Sequence, residues 1–67
     1  MKSVSLGNVL VLGGTKGALK VQLDDLSVRW IPRSVVDEDS DVGPDAQANE
    51  DGELCVAQWW AEKEGLE

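Results

Sequence analysis

Apolar and polar positions alternate most regularly between Leu19 and Val36, in LKVQLDDLSVRWIPRSVV. Leu19, Val21 and Leu23 alternate with Lys20 and Gln22, while Val28 and Trp30 alternate with Ser27 and Arg29. Period-two alternation on both sides of Asp24-Asp25 predicts a hairpin with a single apolar face, on which Trp30 sits. Pro32 ends the second arm, because it has no N–H for a ladder and holds Ile31 extended. Upstream, SVSLGNVLVL at residues 3–12 carries the β-favouring run Val9-Leu10-Val11-Leu12, and Gly13-Gly14-Thr15-Lys16-Gly17 turns the chain into the strand from Ala18 to Leu23. Downstream, Glu53-Leu54-Cys55-Val56-Ala57 predicts a last strand with Leu54 and Val56 on one face. Gln58 to Glu64 favours helix, with Gly65 as its left-handed cap and apolar Leu66 beyond. Trp59 and Leu66 share a helix face and Trp60 lies about 100° round, so one indole is expected to pack and the other to be partly exposed.

These elements predict one mainly β domain over residues 1–67. The expected form is a small antiparallel barrel, SH3-like or OB-like, of four to five strands with a short C-terminal helix closing one end. An open four-stranded sheet with the helix packed on one face is the alternative. A chain of 67 residues buries only about 60% of the surface it exposes when unfolded, which suits a binding surface better than a deep catalytic pocket.

Charge changes the picture more than size does. The net charge is −7, yet up to Val36 five basic residues (Lys2, Lys16, Lys20, Arg29, Arg33) outnumber Asp24 and Asp25. The acidity is concentrated in a loop at about 37–53, where Asp37, Glu38, Asp39, Asp41, Asp45, Glu50, Asp51 and Glu53 stand without a basic residue. Such a block reads either as a solvated loop or as a recognition surface for a basic partner. Asp37-x-Asp39-x-Asp41 resembles the start of an EF-hand calcium loop, but Gly43 comes one place too late and Ala48 occupies the position of the closing glutamate. The Gly13–Gly17 turn lacks the Walker order, since Lys16 precedes Gly17 and no Ser or Thr follows.

With no histidine and one cysteine, Cys55, the sequence offers neither a zinc site nor an activated nucleophile. The expectation is therefore a chain without cofactor or metal that is not an enzyme. A single cysteine, no signal-peptide pattern and no membrane-length apolar run point to a cytoplasmic protein.

Three segments together resemble a known group. Trp30-Ile31-Pro32-Arg33-Ser34, the acidic residues 37–42, and residues 52–66 (GELCVAQWWAEKEGL) are similar to small uncharacterised phage and prophage proteins. Those proteins carry the same Trp-Ile-Pro-Lys/Arg-Ser segment, an acidic loop and a closing W-x-A-x-K-x-G-L helix. The resemblance spans roughly residues 18–66 and implies a phage or mobile-element origin, without implying an activity.

Function then divides into classes. The first is a non-catalytic acidic interaction module that binds a protein with a basic surface, for example an inhibitor of a host nucleic-acid-handling protein acting by nucleic-acid mimicry, of the anti-defence or anti-CRISPR type. Its expected contact residues are Asp37, Glu38, Asp39, Asp41 and Asp45 together with Trp59 and Trp60. The second is a small-barrel single-stranded nucleic-acid binder using Lys16, Lys20, Arg29, Trp30 and Arg33, which the net charge disfavours. A phage structural or assembly subunit is the third.

Overall fold

The computed structural model describes residues 2–66. Its four strands, β1 (Ser3–Gly14), β2 (Ala18–Gln22), β3 (Val28–Pro32) and β4 (Asp51–Ala57), form one antiparallel sheet in the order β3-β2-β1-β4. A single 3-10 turn, Arg33–Val35, follows β3, and the helix α1 (Gln58–Lys63) follows β4 directly.

The long strand β1 serves both halves of the sheet because its core face changes phase part-way. Val4 and Leu6 pack against the core. At Gly7 the backbone takes φ 80°, and pairing with β4 slips between Ser5↔Cys55 and Asn8↔Glu53. The extra residue is a β-bulge, and glycine is suited to it because φ is positive there. From that point Val9 and Val11 face inward and Leu10 and Leu12 face outward. A second slip, between Val11↔Val21 and Gly13↔Lys20, bends the strand again at Leu12. The core is completed by Leu19, Val21, Ile31, Leu54 and Val56 from the sheet, Val35 and Val36 after β3, and Trp60 and Ala61 of α1.

The sheet is open, which corrects the barrel expected from the sequence. Its edges are β3 and β4, and the chain leaving β3 reaches the β4 edge through one isolated bridge, Val36↔Val56. Two further backbone bonds, Asp37 N–H to the Cys55 carbonyl (2.9 Å) and Val42 N–H to the Glu53 carbonyl (3.0 Å), tack the following segment alongside. Pro32 and the 3-10 turn end β3, and the Asp-, Gly- and Pro-rich chain beyond cannot supply the continuous ladder that closure requires.

The acidic segment is nevertheless part of the domain. Val42 and Ala46 are buried in the core, and Asn49 N–H and the Glu50 carbonyl bond the carbonyl and N–H of Val11, each at 2.8 Å. The helix ends as its sequence predicts. Gly65 has φ 74°, its N–H bonds the Glu62 carbonyl, and Leu66 N–H reaches back to Ala61 at 2.8 Å, the paired bonds of a Schellman cap.

Candidate interaction surface

The β2–β3 loop decides which side chains the sheet presents. A two-residue turn at Asp24-Asp25 would pair Leu19 with Trp30 and hide the indole. Instead Leu26 adopts φ 69° and joins the turn as a third residue, closed by Leu23 N–H to the Ser27 carbonyl at 2.8 Å and by Asp25 Oδ1 accepting from both the N–H and the hydroxyl of Ser27. The Ser27 hydroxyl, then its N–H, holds the Asp25 carboxyl below its ordinary pKa. The register becomes Leu19↔Ile31 and Lys20↔Trp30. A one-residue slip exchanges the faces of every side chain on a strand. Ile31 is therefore buried, whereas Trp30 is 53% exposed and Val28 is exposed beside it. The expectation that Trp30 forms the core is corrected on this ground.

The outer face of the sheet consequently carries a run of apolar side chains. Leu10, Leu12, Val28 and Trp30 are all exposed, with Leu10, Gln22 and Val28 in one row across β1, β2 and β3. Lys20 lies beside Trp30 with Nζ 6.0 Å from the ring centroid, at the limit of a cation–π contact. Toward β4 the same face turns acidic: Asp51 is paired with Leu10, and Glu53 accepts a hydrogen bond from the Ser5 hydroxyl at 2.7 Å. Cys55, half-buried and paired with Ser5, has its thiol pKa pushed up by burial first and then by the carboxylates of Glu53 and Asp37.

The five candidate nucleic-acid contacts do not form one patch. Arg33 is a structural clasp. Its Nε donates to the Thr15 carbonyl (2.7 Å), and Nη1 donates to the carbonyls of Pro44 (2.8 Å) and Ala46 (3.2 Å), so one guanidinium joins the β1–β2 turn to the acidic segment. Gly14 keeps room for it: a Cβ there would stand 2.5 Å from the Ala18 carbonyl oxygen and 3.2 Å from an Arg33 guanidinium nitrogen. Lys16 is exposed in the turn, and Arg29 is half-buried opposite Val21. Only Lys20 and Trp30 are brought together on the open face.

The expected acidic and Trp59/Trp60 surface is also divided. Trp60 is 6% exposed and belongs to the core, while Trp59 is 56% exposed on the helix. Asp37 Oδ1 accepts from Asp39 N–H at 2.9 Å, and this bond, with a second from the Ser3 side chain, holds its carboxyl below the ordinary value. Asp41 accepts from Glu53 N–H at 3.3 Å. Glu38, Asp39 and Asp45 remain exposed, with Glu38, Asp45 and Glu50 around a shallow cleft of about 420 Å³. Among the described residues no group of three or more acidic or thiol side chains is arranged to hold a metal ion. No described helix is long and apolar enough to cross a membrane.

Leu10, Leu12, Val28 and Leu26 were not singled out as contact residues by sequence reasoning, which placed Val28 with Trp30 on the core face; Val28 is exposed instead. A signal existed for the first two, because four consecutive apolar residues in a strand must place two on each face. Compared with family profiles, curated proteins and solved structures, the chain matches none of them.

Proposed function

We propose that this chain is a non-catalytic interaction module of the cytoplasm, and that it binds a protein through the uncovered outer face of its sheet. One observation carries this reading: an indole 53% exposed stands among Leu10, Leu12 and Val28, on the side of the sheet that none of the described elements covers. A small domain gains nothing in stability from a tryptophan left in water, and exposed apolar patches rimmed by polar groups are characteristic of contact surfaces. The carboxylates of Asp51 and Glu53 on the same face, and of the 37–50 segment beyond β4, favour a partner whose apolar contact is bordered by basic groups. A host nucleic-acid-handling protein, as the phage resemblance suggests, fits that chemistry. Direct mimicry of a phosphate chain by Asp37, Asp39 and Asp41 has less support, since Asp37 and Asp41 are engaged with backbone N–H groups.

The test is capture from a cell extract by the tagged chain, comparing wild type with Trp30→Ser, each checked by a melting curve and repeated after nuclease treatment. Loss of a specific protein with Trp30→Ser at an unchanged melting temperature supports the surface. Retention by that variant, with loss on neutralising Asp39 and Asp45, returns the function to the acidic segment.

The juxtaposition of Trp30 and Lys20 favours a second reading, in which the indole stacks on a base of single-stranded nucleic acid. Quenching of tryptophan fluorescence by an oligodeoxythymidine at micromolar concentration and about 0.15 M salt, lost in Trp30→Ser, would support it. The carboxylates that share the face argue against such binding.

A further inference from the structure

The outer face does not end at Val28. The β2–β3 loop leans over the Asn8–Leu10 stretch of β1 and leaves a cleft of about 440 Å³, walled by Leu10, Leu23 and Leu26 and rimmed by Asn8, Asp24 and Asp51. Two features of this cleft are unnecessary for folding. Leu26 is 74% exposed, and it holds φ 69° at the position of a three-residue hairpin loop where glycine or asparagine is at ease. The chain thus keeps a large apolar side chain where both solvent and backbone geometry disfavour it. Asp24 and Asp51 face the cleft with no basic residue on its wall. The Asp24 carboxylate is packed against Gly7, where a Cβ would approach its Oδ2 to 2.8 Å, so the β1 bulge and the loop hold one wall of the cleft together.

We infer that this cleft is the receptor for a basic side chain, arginine or lysine, of an extended segment of the partner protein. The aliphatic stem of such a residue would lie between Leu10 and Leu26 while its cationic head meets Asp24 and Asp51. Long basic side chains have this dual character, and the apolar residue next in the segment continues onto Val28 and Trp30. The inference rests on the sheet-face reading above and gives it a chemistry: a partner strand in which basic and apolar residues alternate.

The test uses the full chain, isotopically labelled, and follows backbone amides by NMR as a peptide is added. The probe is an acetylated, amidated tetrapeptide alternating valine and arginine, and the control alternates valine and glutamate. The arginine probe is expected to shift the amides of Leu10, Leu23, Asp24, Leu26 and Asp51, and the control is not. Asp51→Asn should weaken binding about threefold and reduce its salt dependence, with Asp24 retaining the remainder. Leu26→Gly should weaken it about tenfold while raising the melting temperature, because glycine accepts the positive φ. A residue kept only for the fold could not do both.

A fall in melting temperature with Leu26→Gly, equal shifts from both peptides, or no response at millimolar probe would each overturn the inference. So would shifts centred on Glu38, Asp45 and Glu50. Movement of the same amides on simple dilution of the protein would assign the cleft to a second copy of this chain and would also overturn it. If only the Trp30 indole and Val28 respond, the cleft reading fails and the sheet-face reading stands. If Trp30→Ser leaves capture intact, the sheet-face reading fails independently of the cleft.

Discussion

Removal of the Arg33 guanidinium separates its geometry from its charge. Its three hydrogen bonds reach carbonyls of Thr15, Pro44 and Ala46 over 2.7 to 3.2 Å, and the two to Pro44 and Ala46 are partly buried. At about 1 kcal/mol for each partly buried bond and about half that for the solvent-facing one, Arg33→Met should cost about 2 to 3 kcal/mol. A domain of 67 residues has roughly 3 to 10 kcal/mol in total, so the variant loses a large share of its stability. Arg33→Lys preserves the charge, but an ammonium cannot span three acceptors set in the plane of a guanidinium fork. It should recover less than half of the loss. Urea denaturation followed by tryptophan fluorescence measures both: with a slope of about 1 kcal/mol per molar urea, the Arg33→Met midpoint should fall by about 2 to 3 M. Amide exchange should accelerate first at Ala18 and Ala46, the two segments the clasp joins. A wild-type midpoint for Arg33→Met, or full rescue by lysine, would refute the clasp.

Other expectations follow from burial and from the titrating groups. Trp60→Ala should cost about 3 to 5 kcal/mol and unfold most of the chain, whereas Trp59→Ala should leave the melting temperature within a few degrees of wild type in the same scan. Asp25 and Asp37 have depressed folded-state values through the hydrogen bonds they accept, so their stabilisation is complete above the ordinary carboxylate range and is lost as pH falls through the folded values. Stability measured against pH should therefore drop at the acid end, and the combined Asp25→Asn and Asp37→Asn variant should show a shallower drop. Cys55, with its thiol pushed upward, should react with iodoacetamide more slowly at pH 8 than the same cysteine in urea-unfolded chain. Equal rates would place the thiol in open solvent.

The strands, the helix and its Gly65 cap were legible because each has a local cause: alternation, a helix-favouring run and a left-handed stop. Pro32 ended β3 as its chemistry requires. What failed was phase. The parity of Val28 and Trp30 was read from the pattern alone, while the true face depends on whether the loop before them counts two residues or three. Leucine at the left-handed position of that loop gives no sequence signal, so the slip is invisible until the register is seen. The same limit hid the bulge at Gly7. Closure failed for a different reason: strand number does not say whether two edges meet, and here a proline, a 3-10 turn and an acidic segment intervene. The acidic block was visible as composition, but Val42 and Ala46, the two positions that tie it to the core, look unremarkable among their neighbours. Of the candidate contact residues, Trp30 and Lys20 came together, Trp60 and Arg33 proved structural, and the exposed leucines emerged only from the register.

The bulge in β1 also bears on how this chain can change over generations. Substitution is only one route of variation; gain or loss of a codon is another, and in a strand it normally turns the whole remainder inside out. Here Gly7 already contains one such displacement, with Val4 and Leu6 in one frame and Val9 and Val11 in the next. Loss of a single residue at Gly7 or Asn8 would remove the bulge and run Val4, Leu6, Val9 and Val11 into one uninterrupted inward frame, with Leu10 and Leu12 still outward. The bulge is thus a position at which β1 can lose a codon without exchanging its contact face for its core, whereas loss of a codon from the regular ladder on either side shifts the frame. Codon-deletion libraries across residues 3–14 would show this as a local peak of tolerance at Gly7 and Asn8.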